Sequence, residues 1–372
     1  MQKIIIVDNS FYVTGAIKSI IAAINLLKDR YHFEFVMDIR GDAAKYVIES
    51  GWQVENVNFW EISRSWRIVI YPFVLFVNSL LLARIAQKRG AQIIHINDLY
   101  NLAGLLAKVF NWKLAVIYHI RLIPESYVKP IYNILAWLIR RWADAIIYVS
   151  RAAGEKFWDA PQATHIYDSL TGPPIHPPKK IRNELNHCRF LYVGNYVRGK
   201  GQNFALEAFA KIAHLLSGAT LRFVGNGVFG ELDKQYIDKL KRHTSNKDLE
   251  DRVYFEGPIG DVEQTMKDAD VVVNLSESES FSMVCLEALT YGLPLVASDC
   301  GGPRELVENE VNGLLVENRN IEQAADAMFR LATEPGLAAR LGGQGPISVR
   351  EKFSVEKSAR QIFDVYEGLI AR

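Results

Sequence analysis

Short apolar runs alternate with amphipathic stretches along most of the chain. In the first half the strand-like runs are Ile4–Val7, Glu34–Met37, Ile93–Ile96, Leu114–His119 and Ala145–Val149. Between them lie stretches such as Ile17–Leu27 and Asn101–Phe110, whose apolar positions recur with the period of a helix. Strands and helices that alternate in this way predict a parallel sheet with helices on both of its faces.

A proline-rich segment interrupts this alternation near the middle of the chain. Four prolines fall within residues 171–180, and neither a helix interior nor a central strand accommodates them. The alternation then resumes with the runs Phe190–Val193, Leu221–Val224, Val253–Phe255, Val271–Leu275, Leu295–Ala297 and Leu314–Val316. We therefore expect two doubly wound, Rossmann-like α/β domains that face each other across a cleft, where ligands bind.

The expected domains differ in charge. They are residues 1–170 and 187–355, joined by a linker at 171–186 and followed by a helix at 356–372 that could cross back to the first domain. Residues 1–170 hold 19 basic and 14 acidic residues, and the rest of the chain holds 24 and 28. A basic first half suits an anionic membrane surface or a diphosphate-bearing acceptor, although an ordinary solvated surface explains it equally well.

Composition narrows the class of protein further. The chain is 49% apolar and 23% charged, which is typical of a globular protein, and its net charge of +1 argues against a nucleic-acid partner. Cys188, Cys285 and Cys300 are far apart, so we expect neither disulfides nor a structural zinc site. A strand-like run starts the chain with no signal peptide ahead of it, and we expect a cytoplasmic protein.

Aromatic and basic residues are interleaved between residues 60 and 86. Trp60, Arg64, Trp66 and Arg67 form the pattern by which a segment lies in a membrane interface, and its apolar part is too short to span a bilayer. A helix of the core that leads to the strand at Ile93 is the competing interpretation. If the first interpretation holds, these four residues contact the membrane.

Two glycine-rich loops follow predicted strands. Gly194–Gly201 nearly matches the phosphate loop of nucleotide triphosphatases, but Gly201 has no hydroxyl to hold magnesium. Asn195, Arg198 and Lys200 nevertheless give this loop chemistry for binding a diphosphate. Gly225, Gly227 and Gly230 satisfy the dinucleotide pattern, with Glu256 as its formal acid, yet they follow the second strand of their domain. A tight turn at the cleft edge is the better interpretation, and a NAD-dependent dehydrogenase is a distant alternative.

Asp268 and Asp270 resemble the paired aspartates of metal-dependent sugar transferases. They precede the strand Val271–Leu275 and so lie at the end opposite a ligand site, where we interpret them as a solvated helix end. No other acidic or histidine cluster has the spacing of metal ligands. We therefore expect no metal.

A helix is predicted directly after the strand that ends at Leu275. Its apolar stripe places Glu287 about 130° away from the core at 100° per residue, and Glu279 lies just ahead of the helix. The amides of residues 281–284 are free to bind an anion. Phosphate at the amides and hydroxyls at the two carboxylates would fit a nucleotide sugar.

This block resembles a known family. The spacing Glu279-x7-Glu287, followed by Gly-Leu-Pro-Leu-Val-Ala-Ser and Gly-Gly-Pro-Arg-Glu305, is similar to the group 1, or family 4, retaining glycosyltransferases of the GT-B fold. Gly194–Gly201 has the spacing of the family's phosphate loop. Thr14–Ala16 stands at its N-terminal glycine loop, and His119 stands at its active-site histidine.

The resemblance implies roles for individual residues. Glu279, His119 and Lys200 would be catalytic, with Glu279 on the donor sugar's hydroxyls, His119 facing the reacting sugar and Lys200 on the diphosphate. Glu287 would hold the ribose, and the donor-binding set would be Gly15, Asn195, Arg198, Lys200, Gly225, Gly227, Phe281, Ser282, Met283, Val284 and Glu287. The first domain would bind the acceptor and the second the donor, with neither a metal nor a cofactor.

The chain departs from the family pattern at three places. Asn195 stands where the family has arginine, and Arg198 could substitute for it. Ser280 and Ser282 replace the glycines on either side of Phe281, and their hydroxyls could bind phosphate. The N-terminal loop has one glycine, Gly15, where the family has two.

The function that these residues imply is transfer of a hexose or N-acetylhexosamine, with retention, from a nucleoside-diphosphate sugar to a hydroxyl. We expect a UDP-sugar donor and a glycan acceptor linked to polyprenyl diphosphate, in the biosynthesis of O-antigen or another surface polysaccharide. The protein would then sit on the inner face of the cytoplasmic membrane. A nucleotide-sugar epimerase of the same fold and a non-catalytic nucleotide-sugar-binding subunit are the alternatives.

Overall fold

The chain divides into two compact units. The computed structural model describes residues 1–59, 69–126, 128–170, 187–227, 231–258 and 262–371, so the whole predicted linker lies outside the described residues. One unit is Met1–Thr171 together with Phe353–Arg372, and the other is Gly172–Lys352. Each unit contains one parallel β-sheet. The prediction of two doubly wound α/β units is confirmed.

All strands of the first sheet precede those of the second sheet along the chain. In the first unit they are β1 (Gln2–Val7), β2 (Tyr31–Met37), β3 (Gln53–Asn56), β4 (Ala91–Ile96), β5 (Ala115–Ile120), β6 (Ala145–Tyr148) and β7 (Ala163–His165). In the second they are β8 (Arg189–Val193), β9 (Thr220–Val224), β10 (Val253–Glu256), β11 (Val271–Asn274), β12 (Leu295–Asp299) and β13 (Leu314–Glu317). Each strand-like run of the sequence forms a strand.

Helices connect these strands. In the first unit they are α1 (Gly15–Asn25), α2 (Asp42–Glu49), α3 (Tyr71–Arg89), α4 (Ala103–Phe110) and α5 (Lys129–Trp142), and Pro124–Ser126 adds a short 3-10 turn. In the second they are α6 (Gln202–Ile212), α7 (Glu231–Ser245), α8 (Val262–Asp268), α9 (Met283–Thr290), α10 (Pro303–Leu306), α11 (Ile321–Thr333) and α12 (Pro335–Lys352). The last helix, α13 (Val355–Ile370), belongs to the first unit.

The first sheet has the order β3-β2-β1-β4-β5-β6-β7, with every pairing parallel. Helices α3, α4 and α5 pack on one face of it, and α1, α2 and α13 pack on the other. Because both faces are covered, its central strands are continuous apolar runs such as Ile4–Val7, all of it buried.

The second sheet has the order β10-β9-β8-β11-β12-β13 and is also parallel. In both sheets the second and third strands lie on one side of the first strand, and the fourth strand lies on its other side. The reversal falls between β1 and β4 in one unit and between β8 and β11 in the other. In doubly wound sheets ligands bind beyond the carboxyl ends of the two strands at such a reversal.

Two strands of the first sheet were not predicted from the sequence. Gln53–Asn56 is an edge strand of polar and apolar residues, and Ala163–His165 is a three-residue strand at the opposite edge. An edge strand is only partly covered and needs no continuous apolar run, so neither segment carried the signal of a buried strand.

Candidate functional site

The order of the second sheet brings two distant loops together. Strands β8 and β11 pair directly, although β9 and β10 lie between them in the sequence. The loop after β8 carries Lys200, and the loop after β11 carries Glu279. The two predicted site loops of this unit therefore meet at its strand-order reversal.

An ion pair joins these loops. Lys200 Nζ lies 2.7 Å from Glu279 Oε1, and Ser276 Oγ donates a hydrogen bond of 2.9 Å to the same oxygen. Burial disfavours the charged form of Lys200, but the charge and hydrogen bond of Glu279 outweigh it and raise the lysine's pKa. Lys200 is therefore a cation at neutral pH, fixed at the carboxyl edge of the sheet.

The backbones of the two loops are in contact beside this ion pair. Gly201 has φ +77°, and a Cβ atom there would lie 1.8 Å from the carbonyl oxygen of Leu275. Tyr192 ties both sides together, because its hydroxyl donates to the carbonyl of Lys200 and accepts from the amide of Leu275. Gly201, which lacks the hydroxyl of the triphosphatase pattern, is thus the glycine that this close approach requires.

Two polar side chains of the loop after β8 face solvent. Asn195 and Arg198 are exposed, and Arg198 forms no ion pair within the part of the chain that the structure describes. Gly225 lets the loop after β9 lie against the loop after β8, since a Cβ atom at Gly225 would be 2.0 Å from the carbonyl oxygen of Gly194. The predicted glycine turn extends to Gly230, which lies outside the described residues. Glu256, the formal acid of the dinucleotide pattern, pairs instead with Arg222 at 2.5 Å.

Helix α9 starts at the same edge with unused amides. Ser282 is its N-cap, and its hydroxyl accepts from the amide of Cys285 at 3.4 Å and from Asn274 Nδ2 at 3.2 Å. Its φ of +80° favours glycine, the residue that the resemblance places there. Within the described residues, no hydrogen bond uses the amides of Met283 or Val284. Two N–H groups and the helix dipole are thus available to an anion.

The structure corrects two predictions about carboxylates. Glu287 was predicted to point away from the core, but it is only 9% exposed. Helix α12 covers a second side of α9, where a Cβ at Gly345 would lie 2.6 Å from the carbonyl of Leu289. Asp270 is not solvated either, because it is 4% exposed and both its oxygens accept from Arg189 at 3.0 Å. A buried charge needs such a partner.

In the first unit His119 lies at the carboxyl end of β5 and is 2% exposed. Its Nδ1 is 3.2 Å from His95 Nε2 and 3.4 Å from a guanidinium nitrogen of Arg121, and its Nε2 has no hydrogen-bond partner among the described residues. Burial, followed by the charge of Arg121, lowers the pKa of both histidines, that of His95 to about 3. Both rings are therefore neutral at pH 7.

Sequence reasoning missed the polar network behind His119. Arg121 pairs with Asp168, and its Nε donates to Asn97 at 3.0 Å. Ser19 donates to Asp168 at 2.7 Å. The sequence signal for this network was only that polar residues interrupt or follow apolar strands. That signal does not distinguish structural polar residues from functional ones. At the neighbouring start of α1, Thr14 caps the helix and Gly15 is its first residue.

Some predicted features cannot be placed. Trp60, Arg64, Trp66 and Arg67 lie outside the described residues. Of the helices that the structure describes, none combines the length and apolar character needed to cross a bilayer. The described residues also contain no group of three or more His, Cys, Asp or Glu side chains that could hold a metal ion.

Comparison with known proteins gives consistent relatives. The family model of the group 1 glycosyl transferases matches residues 178–346, nearly all of the second unit. An uncharacterized glycosyltransferase of Haemophilus influenzae is 26% identical over 228 residues, which is 61% of each chain. The lipopolysaccharide core biosynthesis mannosyltransferase LpcC of Rhizobium leguminosarum is 27% identical over 241 residues, 63% of this chain and 67% of LpcC. The chain thus spans about three fifths of the first relative's length.

The fold has solved counterparts. The crystal structure of Anabaena HepE in complex with UDP and glucose superposes with a TM-score of 0.83 at 24% sequence identity, covering 99% of this chain and 100% of HepE. At this identity the likeness concerns the fold. With the family model and the relatives beside it, residues 178–346 match the group 1 glycosyltransferases, and the chain has the GT-B fold.

Proposed function

We propose that the protein transfers a glycosyl group from a nucleoside-diphosphate sugar to a hydroxyl group of an acceptor, with retention at the anomeric carbon. The observation that carries the proposal is the meeting of the Lys200–Glu279 ion pair with the free amides of α9 at the strand-order reversal of the second sheet. A cation and two N–H groups suit a diphosphate, and a carboxylate beside them suits sugar hydroxyls.

In this reaction the bond between the anomeric carbon and the diphosphate oxygen breaks. The acceptor's oxygen bonds to the same face of that carbon, and its proton passes to an oxygen of the departing diphosphate. Negative charge grows on the departing diphosphate, where Lys200 and the amides of Met283 and Val284 stabilise it. Glu279 both positions Lys200 and binds the donor sugar, and Glu287 holds the ribose. No cofactor takes part, and the leaving group needs no metal.

The donor is proposed to be a UDP-sugar, since HepE binds UDP and glucose in its crystal structure. We expect UDP and UDP-sugars, more than GDP- or ADP-sugars, to raise the melting temperature of the protein. At a ligand concentration of a hundred times the Kd, binding adds about 2.7 kcal/mol to the free energy of unfolding. This corresponds to a rise in the melting temperature of roughly 5–10 °C. Differential scanning fluorimetry with each nucleotide measures it.

Three controls sharpen this experiment. Lys200→Met should lose most of the shift, and EDTA should alter neither the shift nor the transfer of labelled sugar. Activity that falls with EDTA and returns with Mn²⁺ would contradict metal-free stabilisation of the leaving group. Binding without any product would favour a non-catalytic subunit, and interconversion of free UDP-sugars would favour an epimerase.

We also propose that the acceptor is a polyprenyl-diphosphate-linked glycan and that the first unit docks on the inner face of the cytoplasmic membrane. LpcC, which is named for lipopolysaccharide core biosynthesis, supports a surface-polysaccharide acceptor. Exposed aromatic side chains on the outer sides of α3, α4 and α5 and just after α4 support docking: Phe73, Phe76, Phe110, Trp112, Trp137 and Trp142. Lys113 lies 5.7 Å from the Trp112 ring and Arg141 lies 5.1 Å from the Trp142 ring. Aromatic rings beside cations are typical of interfacial anchors.

We expect wild type to float with anionic liposomes and much less with neutral ones, and the binding to weaken as salt rises. The double variant Trp112→Ala/Trp137→Ala should partition onto anionic liposomes roughly tenfold more weakly than wild type. The reason is that it lacks two rings that wild type would bury in the membrane interface. Arg64→Glu/Arg67→Glu tests the sequence-predicted contacts in the same assay. Tyr254→Ala, an exposed aromatic of the second unit, is the control. Equal, poor flotation of wild type with both lipids would refute docking.

A further inference from the structure

Three side chains from different parts of the chain form a row inside the first unit. Tyr366 on α13 lies with its hydroxyl 2.7 Å from His95 Nδ1, and His95 Nε2 lies 3.2 Å from His119 Nδ1. All three side chains are buried. The row ends at His119 Nε2, which is shielded from solvent and has no hydrogen-bond partner in the part of the chain that the structure describes.

A fourth residue shows in which direction the hydrogen bonds of this row run. Arg121 can only donate, and one of its terminal nitrogens lies 3.4 Å from His119 Nδ1. His119 Nδ1 must therefore accept, so the ring's single proton is on Nε2. His95 Nε2 must then donate to His119 Nδ1, which leaves His95 Nδ1 to accept from the hydroxyl of Tyr366. Neither ring has a second proton, since burial keeps both histidines neutral.

We propose that Tyr366 and His95 are positioning residues that, together with Arg121, hold His119 as its Nε2–H tautomer, so that His119 offers one hydrogen-bond donor to an oxygen of the bound substrate. The identity of that substrate rests on the proposed function, whereas the tautomer does not. A buried donor without a partner costs free energy, and a substrate oxygen would satisfy it. The terminal helix α13 thereby acts on a residue 247 positions earlier in the chain.

The row leaves His119 a donor and excludes it as a proton acceptor. With Nδ1 occupied by two donors and Nε2 protonated, the neutral ring has no free lone pair for a proton from the acceptor's hydroxyl. His119 then acts by orienting the substrate or stabilising negative charge on an oxygen, and not as a general base.

Tyr366→Phe removes the first donor of the row, and Tyr31→Phe is its matched control. Tyr31 also belongs to the α13 contact, with its ring 5.4 Å from that of Tyr366, but its hydroxyl donates to Glu367 and does not touch His95. We expect long-range ¹H–¹⁵N spectra of free wild type to give Nε2–H for both histidines. Tyr366→Phe should yield mixed tautomers and a kcat about tenfold lower at a nearly unchanged donor KM, and Tyr31→Phe should change neither.

His95→Gln and His95→Leu provide a second test. Glutamine can still donate towards His119 Nδ1 and should retain more of the kcat than leucine, which cannot donate. An Nδ1–H His119 in wild type would overturn the proposal, as would a Tyr366→Phe variant with wild-type spectra and kcat, or an equal loss in Tyr31→Phe. Because the spectra need no substrate, wild type with the expected tautomers but no transferase activity would refute the proposed function alone.

Discussion

Replacing Glu279 by glutamine is expected to reduce glycosyl transfer by roughly 10²–10³-fold while leaving the protein folded. Glutamine has nearly the same volume and its carbonyl oxygen can still accept from Lys200 and Ser276, which donate to Glu279 Oε1. What disappears is the negative charge, which fixes the position of Lys200 and binds the donor's hydroxyls strongly. Hydrogen bonds to a charged partner are about twice as strong as those between neutral groups.

The cost in stability should be small by comparison. Lys200 is one-third exposed, so water compensates part of the lost ion pair, and we expect a decrease in the free energy of unfolding of about 1 kcal/mol or less. Initial rates of transfer at saturating donor, measured together with a thermal melt, separate the two effects.

Glu277→Gln is the matched control for this variant. Glu277 lies in the same loop, but its carboxylate pairs with Arg319 and not with Lys200. We expect it to keep nearly all of the activity. Purified Glu279→Gln that turns over as fast as wild type, or Glu277→Gln that loses as much, would contradict the role proposed for Glu279.

Gly201→Ala is expected to be the most destabilising single change in the second unit's site, by roughly 2–4 kcal/mol. An added methyl would meet the carbonyl oxygen of Leu275 at 1.8 Å, and the φ of +77° disfavours any side chain. The clash involves backbone on both sides, so it cannot be relieved by a rotamer change. The loop must move instead and take Lys200 away from Glu279.

Gly199→Ala separates the clash from the backbone strain. Gly199 has φ +90°, similar to that of Gly201, but a Cβ atom there meets no atom of the described residues within 4 Å. We expect it to cost only the strain, about 1–2 kcal/mol, and to retain most of the activity. Denaturant unfolding and transfer rates of the two variants test this. Equal losses in both would show that the contact with Leu275 does not matter.

The sequence alone predicted the class of fold and the positions of most strands. Strands buried on both faces must be apolar throughout, so the runs Phe190–Val193 and Val271–Leu275 could be read without knowing their neighbours. Edge strands such as Gln53–Asn56 carry no such constraint and were missed. Glu287 was misjudged as well: a helical wheel marks one packed face of the helix, yet Glu287, outside that face, is only 9% exposed.

The sequence by itself also offered candidates for the chemistry, because the resemblance that names them rests on spacing such as Glu279-x7-Glu287, a property of the chain order. It did not determine their partners. Lys200 and Glu279 meet because β8 pairs with β11, and Tyr366 reaches His95 because α13 packs on the first sheet. Contacts between distant residues depend on strand order and helix packing, which local periodicity does not encode. For that reason the candidate residues came from the sequence, and their charges, protons and geometry only from the tertiary structure.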